Sequence, residues 1–139
     1  MINVRENLLN ITNKLLKAGL NHGATGNSSC RDGGDFLITP TGVDSSKLTP
    51  DMMVRMNLSD KLSQPESKYK PSSEWQFHQA ILEKYPDINA VIHTHSVFAS
   101  TLSSLGQDIP AFHYMVAVAG GDSVRCAPYA MFGTKELSD

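Results

Sequence analysis

Basic side chains are not in excess in this chain: 12 Lys and Arg stand against 14 Asp and Glu, a formal net charge of −2. That balance gives neither the positive field that holds nucleic acid nor a polybasic patch for a membrane surface. Long apolar runs are missing as well, and none approaches the ~20 residues that a bilayer span requires. The N-terminal residues mix polar and apolar types on a helical period, which is not the pattern of a signal peptide. Cysteine is scarce. Cys30 and Cys126 are far apart and match no zinc or redox spacing, so two buried thiols are expected rather than a disulfide. These absences leave a soluble cytoplasmic protein with no nucleic-acid or membrane partner, and 139 residues are one domain's worth of chain.

What is present begins with Val4, Leu8, Ile11, Leu15 and Leu16, whose spacing predicts an amphipathic helix over residues 3–18 stopped by Gly19. Glycines then punctuate a stretch with short strands expected at 28–31 and 35–39, joined by a hairpin tip at Asp32-Gly33-Gly34. That hairpin places the loops at 23–27 and 39–42 at one end of adjacent strands. Small residues there suit close approach of an anion, although plain turn chemistry is the reading the residues alone favour. Residues 44–53 read as a turn and a short helical piece with Thr49 as cap and Pro50 at its first position. Val54, Met56 and Leu58 alternate as a half-buried strand, and residues 59–70 as a polar loop whose basic side chains form a solvated face.

The stretch from Pro71 predicts a helix capped by Ser72 or Ser73, with Glu74 in its first turn and Phe77, Ala80, Ile81 and Tyr85 on one side. His78 reads as a helix-surface or packing residue. A buried strand is expected at 88–93. Continued with period 2, it would send His93 and His95 from one face, roughly 7 Å apart, a spacing suited to a shared metal. Ser96 caps a further helix to Leu105 closed by Gly106. Ile109–Tyr114 reads as an extended segment in which His113 and Tyr114 satisfy buried hydrogen bonds. Another strand is expected at 124–127, and Lys135 opens a helix.

Six of these stretches resemble the class II aldolase/adducin family, in order and with similar spacing, most closely its L-fuculose-1-phosphate aldolase branch. They are Gly26-Asn27-Ser28-Ser29, Leu37-Ile38-Thr39-Pro40-Thr41-Gly42, Pro71-Ser72-Ser73-Glu74-Trp75, Ala90-Val91-Ile92-His93-Thr94-His95, Ile109-Pro110-Ala111-Phe112-His113-Tyr114-Met115 and Ala127-Pro128-Tyr129-Ala130-Met131-Phe132-Gly133-Thr134. The resemblance implies an α/β fold of three layers, a central, mostly antiparallel sheet flanked by helices, and a homo-oligomer, tetrameric in the family. It implies a zinc ion on His93 and His95, with Glu74 as acid/base that also touches zinc when no substrate is bound. Gly26, Asn27, Thr41, Gly42, Ser72 and Ser73 would hold a substrate phosphate. Tyr114 would assist the aldehyde half, and Phe132 would line that end of the pocket. The implied reaction is reversible cleavage of a ketose 1-phosphate, such as L-fuculose 1-phosphate, to dihydroxyacetone phosphate and an aldehyde such as L-lactaldehyde. Cleavage leaves an enediolate whose charge zinc would stabilise, while Glu74 returns the proton.

Glu74 favours the aldolases over the family's sugar-phosphate 4-epimerases, which carry aspartate at this place. The family's third zinc histidine lies in a His-His-Gly stretch that this sequence lacks. Residues 1–139 are therefore expected to form one domain of the family, truncated before its C-terminal helices. A non-catalytic homologue or assembly module is the other reading.

Overall fold

The computed structural model describes residues 3–59 and 67–139. Helix α1 (Val4–Lys17) starts where the Asn3 side-chain oxygen accepts the Arg5 N–H at 3.1 Å. It ends as the glycine signal predicts. Gly19 takes φ +69°, its N–H donating to the Leu16 carbonyl while Leu20 donates to Leu15, a Schellman closure. The buried stripe differs from the expected one: Leu8 and Thr12 are buried, whereas Ile11 is exposed. Thr12 tolerates that position because its hydroxyl donates to the Leu8 carbonyl at 2.9 Å.

Four strands, β1 (Asn27–Asp32), β2 (Asp35–Ile38), β3 (Val54–Asn57) and β4 (Ala90–His93), form an antiparallel sheet in the order β3-β2-β1-β4. Asp32 pairs with Asp35 across the Gly33-Gly34 tip, where Gly33 adopts φ +66°. The register puts Asn27, Ser29 and Arg31 of β1 on one face with His93 and Val91 of β4 and Ile38 and Phe36 of β2. Helix α2 (Trp75–Lys84) covers that face, Leu82 packing with Phe36, Ile38, Val54 and Met56. Helix α1 covers the other face, where Leu8, Leu37, Leu48 and Met53 form a second cluster with Cys30 against it. The expected arrangement of an antiparallel sheet flanked by helices is thus the one adopted. Within it Cys30 is a free thiol pushed up to about 11, first by burial and then by Asp32.

Three segments around this sheet depart from expectation. Strand β4 is not buried: Ala90 and Ile92 are exposed, because β4 is an edge strand with a covering layer on only one face. On α2 the buried positions are His78, Gln79 and Leu82, while Tyr85 is exposed. Thr49 precedes a 3-10 turn (Pro50–Met52) without capping it; its hydroxyl donates to the Asp51 carboxylate at 2.6 Å instead. The expected polar loop falls in part at residues 60–66, outside the described residues.

The chain divides into two compact units, Met1–Thr94 with Ala130–Asp139, and His95–Tyr129. In the first, α4 (Lys135–Ser138) starts at Thr134, whose hydroxyl accepts the Leu137 N–H at 3.3 Å. In the second, α3 (Val97–Ser104) closes at Gly106 by another Schellman pattern, with Gln107 donating to the Leu102 carbonyl. The strand expected at 124–127 reduces to a single bridge between Val124 and Ile109. Tyr114 opens a 3-10 segment, Tyr114–Ala119, and both it and His113 are exposed. His113 Nδ1 accepts the Met115 N–H, so the histidine caps that segment instead of filling a core. Among the described residues no helix is long and apolar enough to cross a membrane.

Arg31 fastens the far end of α2. Its guanidinium donates to the carbonyls of Leu82 at 2.7 Å and Ile88 at 3.2 Å, satisfying groups at the helix's negative end. Arg31→Met keeps the stem and removes these bonds. Urea unfolding is expected to show a loss of about 1.5–3 kcal/mol at unchanged m-value.

Candidate active site

Three loops meet beside the Asn27 end of β1. Pro40 and Pro71 form an antiparallel bridge, with Ser72 N–H donating to Thr39 C=O at 3.0 Å and Thr41 N–H to Lys70 C=O at 3.0 Å. Thr39 in turn accepts the Ser28 N–H on its hydroxyl at 3.2 Å. These ties gather Gly26, Asn27, Thr41, Gly42, Ser72 and Ser73 at one end of the sheet. They also commit the backbone amides of Thr41 and Ser72, so those two residues have hydroxyls, not amides, to offer an anion. Gly26 has a strict steric reason. It sits at φ +68°, and a Cβ there would overlap the Asn21 amide. Asn21 itself is buried and donates to the His93 carbonyl at 3.3 Å.

The bridge also moves the start of α2. Residues 71 and 72 are held extended, so neither Ser72 nor Ser73 is the N-cap; Glu74 is, and it makes no side-chain cap bond. Ser72 supports the turn instead, its hydroxyl accepting the Glu74 N–H at 3.3 Å and its carbonyl the Trp75 N–H. Relieved of capping, the Glu74 carboxylate points back at the sheet. Its Oε2 accepts from Asn27 Nδ2 at 2.7 Å and from His93 Nδ1 at 2.8 Å. The Glu74 side chain is 14% exposed and that of His93 27%, so both are reachable without being solvated freely.

The chain of contacts continues inward. Asn27 Oδ1 accepts from His78 Nε2, and His78 Nδ1 lies 2.7 Å from Ser29 Oγ. His78 is fully buried, the packing residue of its two readings and not the helix-surface one, because the α2 face four residues beyond Glu74 is pressed onto β1. Phe77 stacks on the His78 ring at 4.5 Å and meets His93 edge-on at 5.5 Å. Asn21, Ser29, Phe77 and His78 are thus site neighbours that sequence reasoning missed. A signal was there: Glu74, Phe77 and His78 stand at helical spacings of three and four, and Asn27 and Ser29 alternate on one strand face.

The histidine pair is divided. Strand β4 ends at His93, paired with Asn27; His95 lies beyond the ladder, is exposed, and begins the second unit. Period-2 placement of His95 therefore has no strand under it. A metal-binding imidazole commonly gives its second ring N–H to a carboxylate, which is the arrangement of His93 Nδ1 on Glu74, so the chemistry of His93 fits a divalent ion. Among the described residues no cluster of three or more His, Cys, Asp or Glu is placed to hold one. Phe132 is 70% exposed in the first unit, where the adjoining Gly133 approaches the Ser73 carbonyl, and Tyr114 is 79% exposed in the second.

A family model described as the class II aldolase and adducin N-terminal domain matches residues 6–139. L-fuculose phosphate aldolase of Escherichia coli is 48% identical over 91% of this chain and 57% of its own length. The 5-methylthioribulose-1-phosphate/5-deoxyribulose-1-phosphate aldolase of Rhodospirillum rubrum is 46% identical over 99% of this chain and 61% of its own. A solved L-fuculose 1-phosphate aldolase superposes with TM-score 0.89 at 36% identity, covering 99% of this chain and 65% of that one. The chain thus spans about three fifths of the length of these curated relatives.

Two outcomes are expected. Gly26→Ala forces a strained φ and displaces Asn21, and should lower unfolding stability by at least about 1–3 kcal/mol in urea titrations. His78 is pushed down to about 3, chiefly by burial and next by His93, against an unfolded value of 6.5. The unfolded state therefore binds the extra proton, and this stabilisation is full above about pH 6.5 and lost as pH falls toward 3. The loss should reach about 2 kcal/mol by pH 5 in the wild type and vanish in His78→Gln.

Proposed function

The chain belongs to the class II aldolase and adducin family, and from that membership we propose that it works as a zinc-dependent aldolase on a ketose 1-phosphate. The observation that carries the reading is the Glu74 carboxylate, turned away from its helix and held between an amide and an imidazole beside the gathered loops. The family uses a divalent metal, and zinc is the one the resemblance implies, an ion that imidazole donors suit. His93 and His95 would hold it, and a catalytic site of this kind takes three protein ligands. When bound, the ion would supply Lewis-acid stabilisation of the charge that develops on the substrate oxygens.

The remaining chemistry falls to this chain's own residues. The hydroxyls of Thr41, Ser72 and Ser73 with Gly26, Asn27 and Gly42 would bind the phosphate, giving binding energy remote from the reacting bond. In cleavage the hydroxyl two carbons from the ketone loses its proton and becomes the aldehyde. The bond between its carbon and the next breaks, and the electron pair stays with the fragment bearing the ketone and phosphate. Glu74 would deliver a proton to that carbon, completing dihydroxyacetone phosphate, and in condensation it would take that proton away. Tyr114 would serve the aldehyde half and Phe132 line it. The relatives named above differ in that half, so the aldehyde ranges from L-lactaldehyde to its deoxy- and methylthio-sugar counterparts. A homo-oligomer fits the exposed apolar side chains Phe98, Val118 and Tyr129 of the second unit.

Glu74→Gln in the intact protein is expected to lower release of dihydroxyacetone phosphate from ketose 1-phosphates by about 10²–10⁴-fold. Elemental analysis should find zinc in both forms. Unchanged turnover in the variant, or no release of dihydroxyacetone phosphate by the wild type, would replace this reading with that of an assembly module.

A further inference from the structure

The residues behind Glu74 form a directional relay whose polarity is fixed by elementary donor and acceptor rules. A carboxylate only accepts, so the Asn27 group facing Glu74 Oε2 is its NH₂, and Oδ1 faces inward. Oδ1 also only accepts, so the His78 nitrogen that meets it, Nε2, carries the ring proton. A neutral imidazole has one such proton; Nδ1 is therefore the acceptor, and Ser29 Oγ donates to it at 2.7 Å. Every member is held: Asn27 is buried, Ser29 is 1% exposed and His78 0% exposed. With the amide turned over, an oxygen would face the Glu74 carboxylate, a repulsive contact, and the His78 proton would have to move to Nδ1 for Nε2 to accept the NH₂.

We infer that His78 is a positioning residue: by donating from Nε2 to Asn27 Oδ1 it fixes the amide in the one orientation that presents N–H to Glu74 and to the substrate anion. Ser29 completes the chain by donating to His78 Nδ1. Phe77, stacked on His78 and edge-on to His93, keeps both rings in place. The inference rests on the proposed role of Glu74 for its kinetic consequence, but not for the tautomer or the amide orientation, which are properties of the resting protein.

The test uses the intact protein. Long-range ¹H–¹⁵N correlation of the histidine rings is expected to show His78 neutral and protonated on Nε2. The Asn27 side-chain amide signals should shift in His78→Leu. In steady-state cleavage, folded His78→Leu is expected to lose at least about tenfold in kcat with KM changed less than about threefold, because Glu74 loses a donor while the other phosphate contacts stay. His78→Gln, whose Nε2 reaches the same place, should recover kcat to within about threefold of wild type. An Nδ1–H tautomer, a folded Leu variant with wild-type kcat, or a folded Gln variant as slow as the Leu variant would each overturn the inference. Should the Leu variant not fold, the wild-type tautomer decides. Glu74→Gln separates the two readings. If it keeps full turnover the aldolase reading fails, and if it is inactive while folded His78→Leu is unimpaired only the positioning role fails.

Discussion

The interface between β1 and α2 has to bury polar groups, and most of the site follows from how it does so. Asn27, Ser29 and His78 are inside, where an unmatched donor or acceptor costs on the order of 1–3 kcal/mol. With a carboxylate at Glu74 to accept, one ordering of protons satisfies all three, and its outer end is an amide N–H aimed at Glu74. A carboxylate there completes the interface. The functional group is therefore the outer terminus of a network whose inner members are core.

The same helix has two ends with different duties. Near its C-terminus Leu82 packs in the apolar cluster and Arg31 ties off the carbonyls, so that end has a stable register. Near its N-terminus the helix begins one residue later than a serine cap would set it, because Pro40 and Pro71 pair and hold residue 72 extended. Glu74 is left at φ −100°, ψ 15°, a sparsely used backbone region, with its side chain available to the sheet. Anchoring at one end allows the other to serve chemistry.

Much of the fold was legible because it is written in local signals. Gly19 and Gly106 ended helices and Gly33-Gly34 turned the hairpin, each through backbone geometry that few other residues supply. The misses share a different cause. Exposure of Tyr85 and Ile92, and the reduction of residues 124–127 to one bridge, depend on which faces meet, and sequence periodicity does not specify that partner. For the site, residue types at Glu74, Asn27 and His93 were readable. Their contact was not, since Asn27 and Glu74 are 47 positions apart and meet through the β1–α2 packing. His95 is the reverse case: its spacing suggested a shared strand face, and the strand ends before it.

Cys30 carries a consequence of another kind. It lies on the α1 side of the sheet and its thiol sits near pKa 11, so at neutral pH only about one molecule in ten thousand presents the thiolate that alkylating agents and disulfides attack. An ordinary thiol ionises far more readily, so partial burial and the neighbouring Asp32 carboxylate keep Cys30 chemically quiet on the face of the sheet opposite Glu74.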